Sequence, residues 1–469
     1  MSEHKKSRSS FSGGFGFVLA AAGSAVGLGN IWRFPYLAAK HQGGTFIFVY
    51  IILALTFGFA LLTTEIAIGR KTKQGPLTAY ENVHNKFKFN GWLAWIVPVI
   101  ILPYYCSIGG WVLKYLKTFI TMEGEAAAQD TFFTGYLGET WTPLIWMIIF
   151  LALTAFVVIS GVEKGIEKYS KVLMPILLLL VIGISIFALT LSNTAEDGTV
   201  RTGMDGLKIY LTPDFSGMTV KGFIQLILDA VGQLFFSISV AMGIMVAYGS
   251  YVKDDTNLMK SINQIEFFDT FVALLAGLMI VPAVYVFKGM DGMSAGPGLM
   301  FVSLPKVFSD MGTLGVVIGI LFFLMVTFAA VTSSVSVMEA IVSGIMDKWK
   351  ISRTKSAIIA TVYSLVLGII VCLGFNVLAV DIPLPGGSSG SILDVMDYIS
   401  NSVLMPFVAL VTCIFIGWIV KPKYIVDEVT KNGEKFGRKT LYNVMIKFIA
   451  PVILFILLLQ AFGLLGFLN

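Results

Sequence analysis

Eleven long apolar runs alternate with short polar segments along the chain. They cover 13–37, 45–69, 90–118, 142–159, 170–191, 222–250, 260–287, 312–343, 356–375, 397–420 and 441–467. A helix needs about 20 mainly apolar residues to cross the hydrocarbon core of a bilayer. The pattern therefore predicts an all-α polytopic membrane protein of about eleven transmembrane helices. Two of the runs, spans 1 and 6, are interrupted. Span 1 contains Gly23-Ser24-Ala25-Val26-Gly27-Leu28-Gly29-Asn30-Ile31-Trp32-Arg33-Phe34-Pro35-Tyr36. Glycine weakens a helix. An amide and a guanidinium at membrane depth are costly unless they face protein or a water-filled cavity. A helix that breaks here frees carbonyls for binding. Close packing through small residues, with Asn30 as interhelical glue and Arg33 reaching the surface, accounts for the same residues. Span 6 is interrupted at its centre by Ser237, Ser239 and a small-residue cluster ending in Gly243. Two interrupted helices, each first in a five-span half, point to a 5+5 inverted repeat. Helices 1 and 6 are then broken at mid-membrane, around a central site.

The same pattern divides the chain. Residues 1–12 form a polar tail and 13–191 the first five-helix repeat. An extracellular loop follows at 192–221 and the second repeat at 222–420. A cytoplasmic loop at 421–440 precedes the eleventh helix and C-terminus at 441–469. With the N-terminus inside, 23 Lys and Arg lie on the cytoplasmic side against 8 outside. That asymmetry orients the chain in the cell membrane, with its C-terminus extracellular or periplasmic.

Composition narrows the class. Of 469 residues, 56% are hydrophobic and 13% charged, which is no soluble globular balance. The net charge of +5 has a membrane explanation and does not call for nucleic acid. No stretch outside the spans is long enough for a soluble domain. The first apolar run is too long for a cleaved signal peptide. Cys106, Cys372 and Cys413 fall in apolar runs, without metal-ligand spacing or a disulfide framework. His4, His41 and His84 lie in the tail or loops. No nucleophile–base pair is visible, so an enzyme is disfavoured.

Ionisable and hydroxylated residues inside spans are the remaining candidates. Glu65 lies about one turn inside the cytoplasmic end of span 2 and reads as buried support for a broken helix. Asp269 lies deep in span 7, where a carboxylate is functional by default. Tyr104-Tyr105 sit mid-span, where a hydroxyl needs a partner; a pocket role and core packing are equal readings. Span 8 carries Thr332-Ser333-Ser334, which suits either a hard monovalent cation or interhelical hydrogen bonds. At the outer end of span 10, Asp397 is placed to pair with Arg33 across a vestibule. Gly165 and Pro175 mark a place where span 5 either starts plainly or unwinds.

These motifs, in this order, resemble the neurotransmitter:sodium symporter family, especially its bacterial amino-acid transporters. The resemblance covers essentially the whole chain from Arg8 to span 11. Many members have twelve helices and this chain has eleven, which leaves oligomeric contacts open. The resemblance implies one sodium site at Ala25, Asn30, Ser237 and Asp269, completed by the substrate carboxylate. It implies a second at Gly23, Val26, Ala329, Thr332 and Ser333. The substrate carboxylate would meet backbone amides near Leu28 and Gly29 and the Tyr105 hydroxyl. Its amino group would meet carbonyls of Ala25, Phe236 and Ser239. Its side chain would lie among Ser24, Ile101, Ser239, Met242, Ser333 and Val337, with Ser237 nearby. Phe236 would lid the pocket, and Arg33 with Asp397 would close an outer gate. Arg8, Ser250, Tyr251 and Asp347 would form an inner gate. The Gly165–Pro175 spacing resembles a family feature that lets span 5 unwind.

The resemblance thus leads to an expectation of sodium-coupled import of hydrophobic, preferably aromatic, L-amino acids by alternating access. Such transport needs two sodium ions, a lipid bilayer, no organic cofactor and no obligatory protein partner. Asp269 stands as a substitute for the chloride that animal members use, and returns protonated once sodium has left. Ser24 stands where a leucine-transporting member has asparagine. Met242 replaces an aromatic side chain, and Ala241 a glycine. A proton-coupled amino acid/polyamine carrier of related fold is the main rival, and sodium-independent uptake would favour it. An ion channel is the other, marked by substrate-independent currents.

Overall fold

The structure, a computed structural model, describes residues 9–195, 198–293, 296–385 and 388–465. Among them, ten helices are long and apolar enough to cross a membrane, and one bent pair makes an eleventh span. Span 1 is that pair, Gly14–Ala25 and Gly29–Lys40, bent by 54°. Span 2 is Gly44–Thr72, span 3 Asn85–Ile120, span 4 Trp141–Ile159 and span 5 Val162–Thr190. Span 6 is Val220–Ser237, followed after six residues by the short helix Ile244–Ser250. Spans 7 to 11 are Leu258–Lys288, Thr313–Trp349, Arg353–Leu373, Ile392–Ile419 and Lys439–Ala461. Among the described residues the strands are two short antiparallel pairs, Ser192–Thr194 with Val200–Thr202 and Ile382–Pro383 with Ser389–Gly390.

Burial follows from which helices touch lipid. Span 3 packs along span 8, and the second half of span 6 packs along span 2. Spans 1, 7 and 8 enclose the centre, and Phe17, Val18, Ala22, Val272 and Ala330 there are fully buried. Spans 4, 5, 9 and 11 leave Phe156, Leu179, Val366 and Phe455 more than half exposed, as lipid-facing side chains are. Span 5 runs without interruption through the stretch where unwinding was an option. Val162–Glu167 is a π-helical turn that leads directly into Lys168–Thr190, with Pro175 inside the helix.

Candidate functional site

The two interruptions meet. The first half of span 1 ends at Ala25, and Val26 leaves helical geometry at ψ 88°. The last carbonyls of a half-helix lose their helical donors, so those near Ala25 and Val26 become available. In span 6, residues 238–243 are not helical, and Ser239, Ala241 and Gly243 take φ of 54°, 62° and 71°. For residues other than glycine that region costs roughly 1–2 kcal/mol each. Bonds from outside the segment hold it there. Glu65 Oε1 accepts from the Ala241 amide at 2.7 Å. Ser239 Oγ donates to the Ser24 carbonyl at 3.1 Å, and Ser24 Oγ donates to Ser239 Oγ at 3.1 Å. Glu65 thus supports the broken helix of span 6, and the two breaks fasten each other.

Around these breaks lie two clusters of oxygen. In the first, Asp269 Oδ1 accepts from Ser237 Oγ at 2.6 Å and from Asn30 Nδ2 at 2.9 Å. Asn30 Nδ2 also donates to Ser237 Oγ at 3.0 Å, and the Tyr50 hydroxyl donates to the same oxygen at 3.3 Å. Asp269 is fully buried, and its Oδ2 has no hydrogen-bond partner. A carboxylate oxygen left bare in the core is costly unless something binds it. Gln233 anchors the adjacent backbone, donating to the Gly29 carbonyl at 3.0 Å.

The second cluster joins span 1 to span 8. Ser333 Oγ donates to the Ser24 carbonyl at 3.1 Å and lies 3.4 Å from that of Gly23. Thr332 Oγ1 donates to the carbonyls of Phe328, at 2.9 Å, and Ala329, at 3.1 Å. Gly23 packs closely on Thr332, since a Cβ there would lie 3.3 Å from Thr332 Cβ. The Val26 carbonyl lies at the end of the same half-helix. The second set is oxygen only, the choice of a hard cation; the first carries one carboxylate, and there Asn30 presents its Nδ2 to the cluster while its Oδ1 accepts from the Gly27 amide at 3.4 Å. Among the described residues no group of three His, Cys, Asp or Glu could hold a metal ion, so neither set resembles a transition-metal centre.

Between the clusters lies a cavity of about 20 Å³. It is lined by Ser24, Gly27, Ile101, Tyr105, Phe236, Ser239, Met242, Ile244, Ser333 and Val337. The Tyr105 hydroxyl is buried there without a hydrogen-bond partner. Phe236 lies directly on Gly29, where a Cβ would come within 2.4 Å of its ring; only glycine admits the ring there. Tyr105 and Phe236 also line a cavity of about 490 Å³ that opens outward, with Leu28, Arg33, Tyr104 and Asp397 in its walls. Arg33 and Asp397 thus face the same space but form no ion pair. Asp397 Oδ1 accepts instead from the Tyr104 hydroxyl at 3.2 Å and from Asn401 Nδ2 at 2.5 Å.

The opposite side is closed. The Phe11 amide donates to the Tyr251 carbonyl at 3.1 Å, and the Phe11 ring lies edge-on to Tyr248 and Tyr251. The Tyr251 hydroxyl donates to Glu339 Oε1 at 2.6 Å. Arg353 grips both oxygens of Glu339. Asp347 accepts from the Gly75 amide at 2.5 Å, and Ser250 Oγ donates to the Ala247 carbonyl. Of the four residues expected at an inner gate, Arg8 lies outside the described residues.

Sequence reasoning missed Tyr50, Gln233, Ile244, Glu339 and Arg353. The depth rule that singled out Asp269 applies equally to Glu339, inside span 8, and to the Gln233 amide. Tyr50 is a mid-span tyrosine like Tyr104. Ile244 carried no signal.

The model of the Sodium:neurotransmitter symporter family matches residues 8–132 and 135–465. An uncharacterized sodium-dependent transporter of Bacillus subtilis, YhdH, is 35% identical over 96% of this chain and 97% of its own length. The human sodium- and chloride-dependent GABA transporter 2 is 25% identical over 88% of this chain and 73% of its own. The crystal structure of MhsT in complex with L-phenylalanine superposes with a TM-score of 0.83 at 34% identity, covering 97% of this chain and all of that one. The chain belongs to the Sodium:neurotransmitter symporter family, and it is a multi-pass, sodium-coupled membrane transporter of a small molecule rather than an enzyme.

Proposed function

We infer that the protein imports hydrophobic L-amino acids, aromatic ones foremost, together with two sodium ions and without chloride. One observation carries the reading: the buried, half-bonded Asp269 carboxylate lies between Asn30 and Ser237, beside the half-helix end that borders a small apolar pocket. The first sodium ion takes the Ala25 carbonyl, the Asn30 amide oxygen, Ser237, Asp269 and the substrate carboxylate. The second takes the Gly23, Val26 and Ala329 carbonyls with Thr332 and Ser333.

The substrate carboxylate meets the half-helix beginning near Leu28 and Gly29, where free amides and the helix dipole favour an anion. The unpartnered Tyr105 hydroxyl donates to it. The amino group meets carbonyls at Ala25, Phe236 and Ser239. Ile101, Met242 and Val337 offer no charge to a side chain, and methionine adapts its shape to what it meets. The likeness to MhsT, solved with L-phenylalanine, supports an aromatic substrate.

The chloride reading follows from charge. A zwitterion adds none, so two sodium ions bring a charge of +2 into a site walled off from water, where unbalanced charge is heavily penalised. Asp269 supplies one compensating charge from the protein itself. In this form of the protein the vestibule is open and the inner side closed. Substrate binding draws Phe236 over the pocket and Arg33 toward Asp397. Opening then passes to the inner side, where Arg8, Ser250, Tyr251 and Asp347 separate.

Uptake of radiolabelled tryptophan and leucine into proteoliposomes tests this, with an inward sodium gradient and gluconate in place of chloride. The expected result is sodium-dependent uptake of both, with mutual competition and no chloride requirement. A chloride requirement, or an Asp269→Asn variant that still transports without chloride, would remove Asp269 from its role. Sodium-independent uptake would overturn the coupling.

A further inference from the structure

Where span 7 begins, its Lys260, Asn263, Gln264 and Phe267 face Glu434 and Lys435 of the loop between spans 10 and 11 across a cavity of about 440 Å³. The cavity is rich in donors. The ammonium groups of Lys260 and Lys435 have no partner among the described residues. Their neighbours are already satisfied: Lys431 pairs with Asp254 at 3.3 Å, and Arg438 with Glu266 at 2.7 Å. Arg438 also donates to Asn263 Oδ1 at 2.6 Å, which leaves Asn263 its Nδ2 protons to offer. Glu434, the acid in the wall, is turned back on Asn432, whose amide and Nδ2 donate to its two oxygens at 2.9 and 3.2 Å. The wall thus sets two unpaired ammonium groups against one carboxylate that is already bonded.

From the cavity a stripe runs into the membrane. Lys260, Gln264, Phe267 and Phe271 stand at i, i+4, i+7 and i+11, on one face of the helix. At the helical rise the lysine and the first ring are about 10 Å apart along the axis, enough to pass from the headgroup layer, roughly 5–8 Å thick on each side, into the hydrocarbon core. Phe267 is 60% exposed and stacks on Phe271 with ring centroids 5.5 Å apart. Charge, amide and aromatic ring therefore follow one another along span 7 in the order in which a phospholipid presents its phosphate, glycerol esters and acyl chain. A phosphorylated peptide or a free anion would use the lysines and leave the rings idle.

We propose that this cavity is a binding site for one anionic phospholipid. Its phosphate lies between Lys260 and Lys435, its ester oxygens meet the Asn263 and Gln264 amides, and one acyl chain runs along Phe267 and Phe271. Lysine binds phosphate as a point charge. A headgroup without an ammonium of its own fits, because a further cation would be repelled by the pair. The bound lipid ties the loop between spans 10 and 11 to the start of span 7.

The test is native mass spectrometry of the purified full-length transporter, offered phosphatidylglycerol and phosphatidylcholine with the same acyl chains. The readout is the ratio of their binding constants for the first lipid retained. A lysine beside an anionic lipid contributes about fivefold, so the unaltered protein is expected to prefer phosphatidylglycerol about twenty-five-fold, Lys260→Gln about fivefold, and Lys260→Gln with Lys435→Gln not at all. Both side chains are exposed, so neither change disturbs the core. Lys86→Gln with Lys355→Gln, at two other exposed lysines on the same predicted face, should leave the ratio unchanged. Equal retention of the two lipids by the unaltered protein overturns the site. An equal fall in the two double variants also overturns it, and assigns the preference to diffuse charge. Glycerol 3-phosphate carries the same phosphate without acyl chains; displacement of the lipid by an equal concentration of it would overturn the lipid in favour of a free phosphate.

Discussion

At the scale of single residues, Glu65 shows how a carboxylate in a membrane protein holds strain in place. It is buried at 2% exposure, and one oxygen accepts the amide of Ala241 at 2.7 Å, whose φ of 62° the chain would not otherwise choose. Glu65→Ala leaves that amide without an acceptor, at a cost of about 1–3 kcal/mol, and releases the left-handed segment. The expected result is a melting temperature lower by a few degrees in detergent and loss of uptake. Glu65→Gln keeps an oxygen in place and should restore most of both. Equal damage from the two variants would mean that the charge matters rather than the bond. Depth makes such residues legible in sequence: Asn30, Glu65 and Asp269 each interrupt an apolar run and are costly without partners. Tyr50 was hidden because an aromatic ring is at home in that run, and only its hydroxyl betrays a polar neighbour.

Between elements, the contacts that matter join distant parts of the chain. Glu339 of span 8 is completely buried, and Arg353 at the start of span 9 and Tyr251 beyond the second half of span 6 both bond to it. Removing one partner of a buried pair strands the other charge, typically at about 3–5 kcal/mol. Arg353→Met should therefore lower thermal stability far more than Tyr251→Phe, which removes a neutral hydroxyl and strands no charge. The combination of Glu339→Gln with Arg353→Met should regain part of the loss, because no bare charge remains. A double variant as unstable as Arg353→Met would assign the damage to lost packing. The break in span 6 was legible only as a cluster of small residues. Its limits, 238–243, depend on bonds from Glu65 and Ser24 on other spans, which no local propensity records. The Arg33–Asp397 pairing was read from charge and position alone. In this structure the two groups share a cavity without touching, and charge and position in a sequence do not fix the distance between them.

For the molecule as a whole, the open and closed sides acquire meaning only from orientation in the membrane. The eleven apolar runs predicted the spans because length and apolarity decide membrane crossing with little help from tertiary context. The 23-to-8 distribution of Lys and Arg predicts an N-terminus inside and, with an odd number of spans, the end of span 11 outside. On that assignment the cavity of about 490 Å³, whose wall includes Gln460 and Ala461 of span 11, is predicted to face the medium, as the import proposed above requires. Two single cysteines decide the matter. Leu464, 68% exposed just beyond span 11, belongs outside; Gly437, with open space where a Cβ would stand, belongs inside. The native Cys106, Cys372 and Cys413 are buried and free, so they should contribute little background to labelling by a membrane-impermeant maleimide. Leu464→Cys should react in intact cells and Gly437→Cys only after permeabilisation. The reverse pattern would turn the open vestibule toward the cytoplasm, and the same cavities would then describe an exporter's resting state.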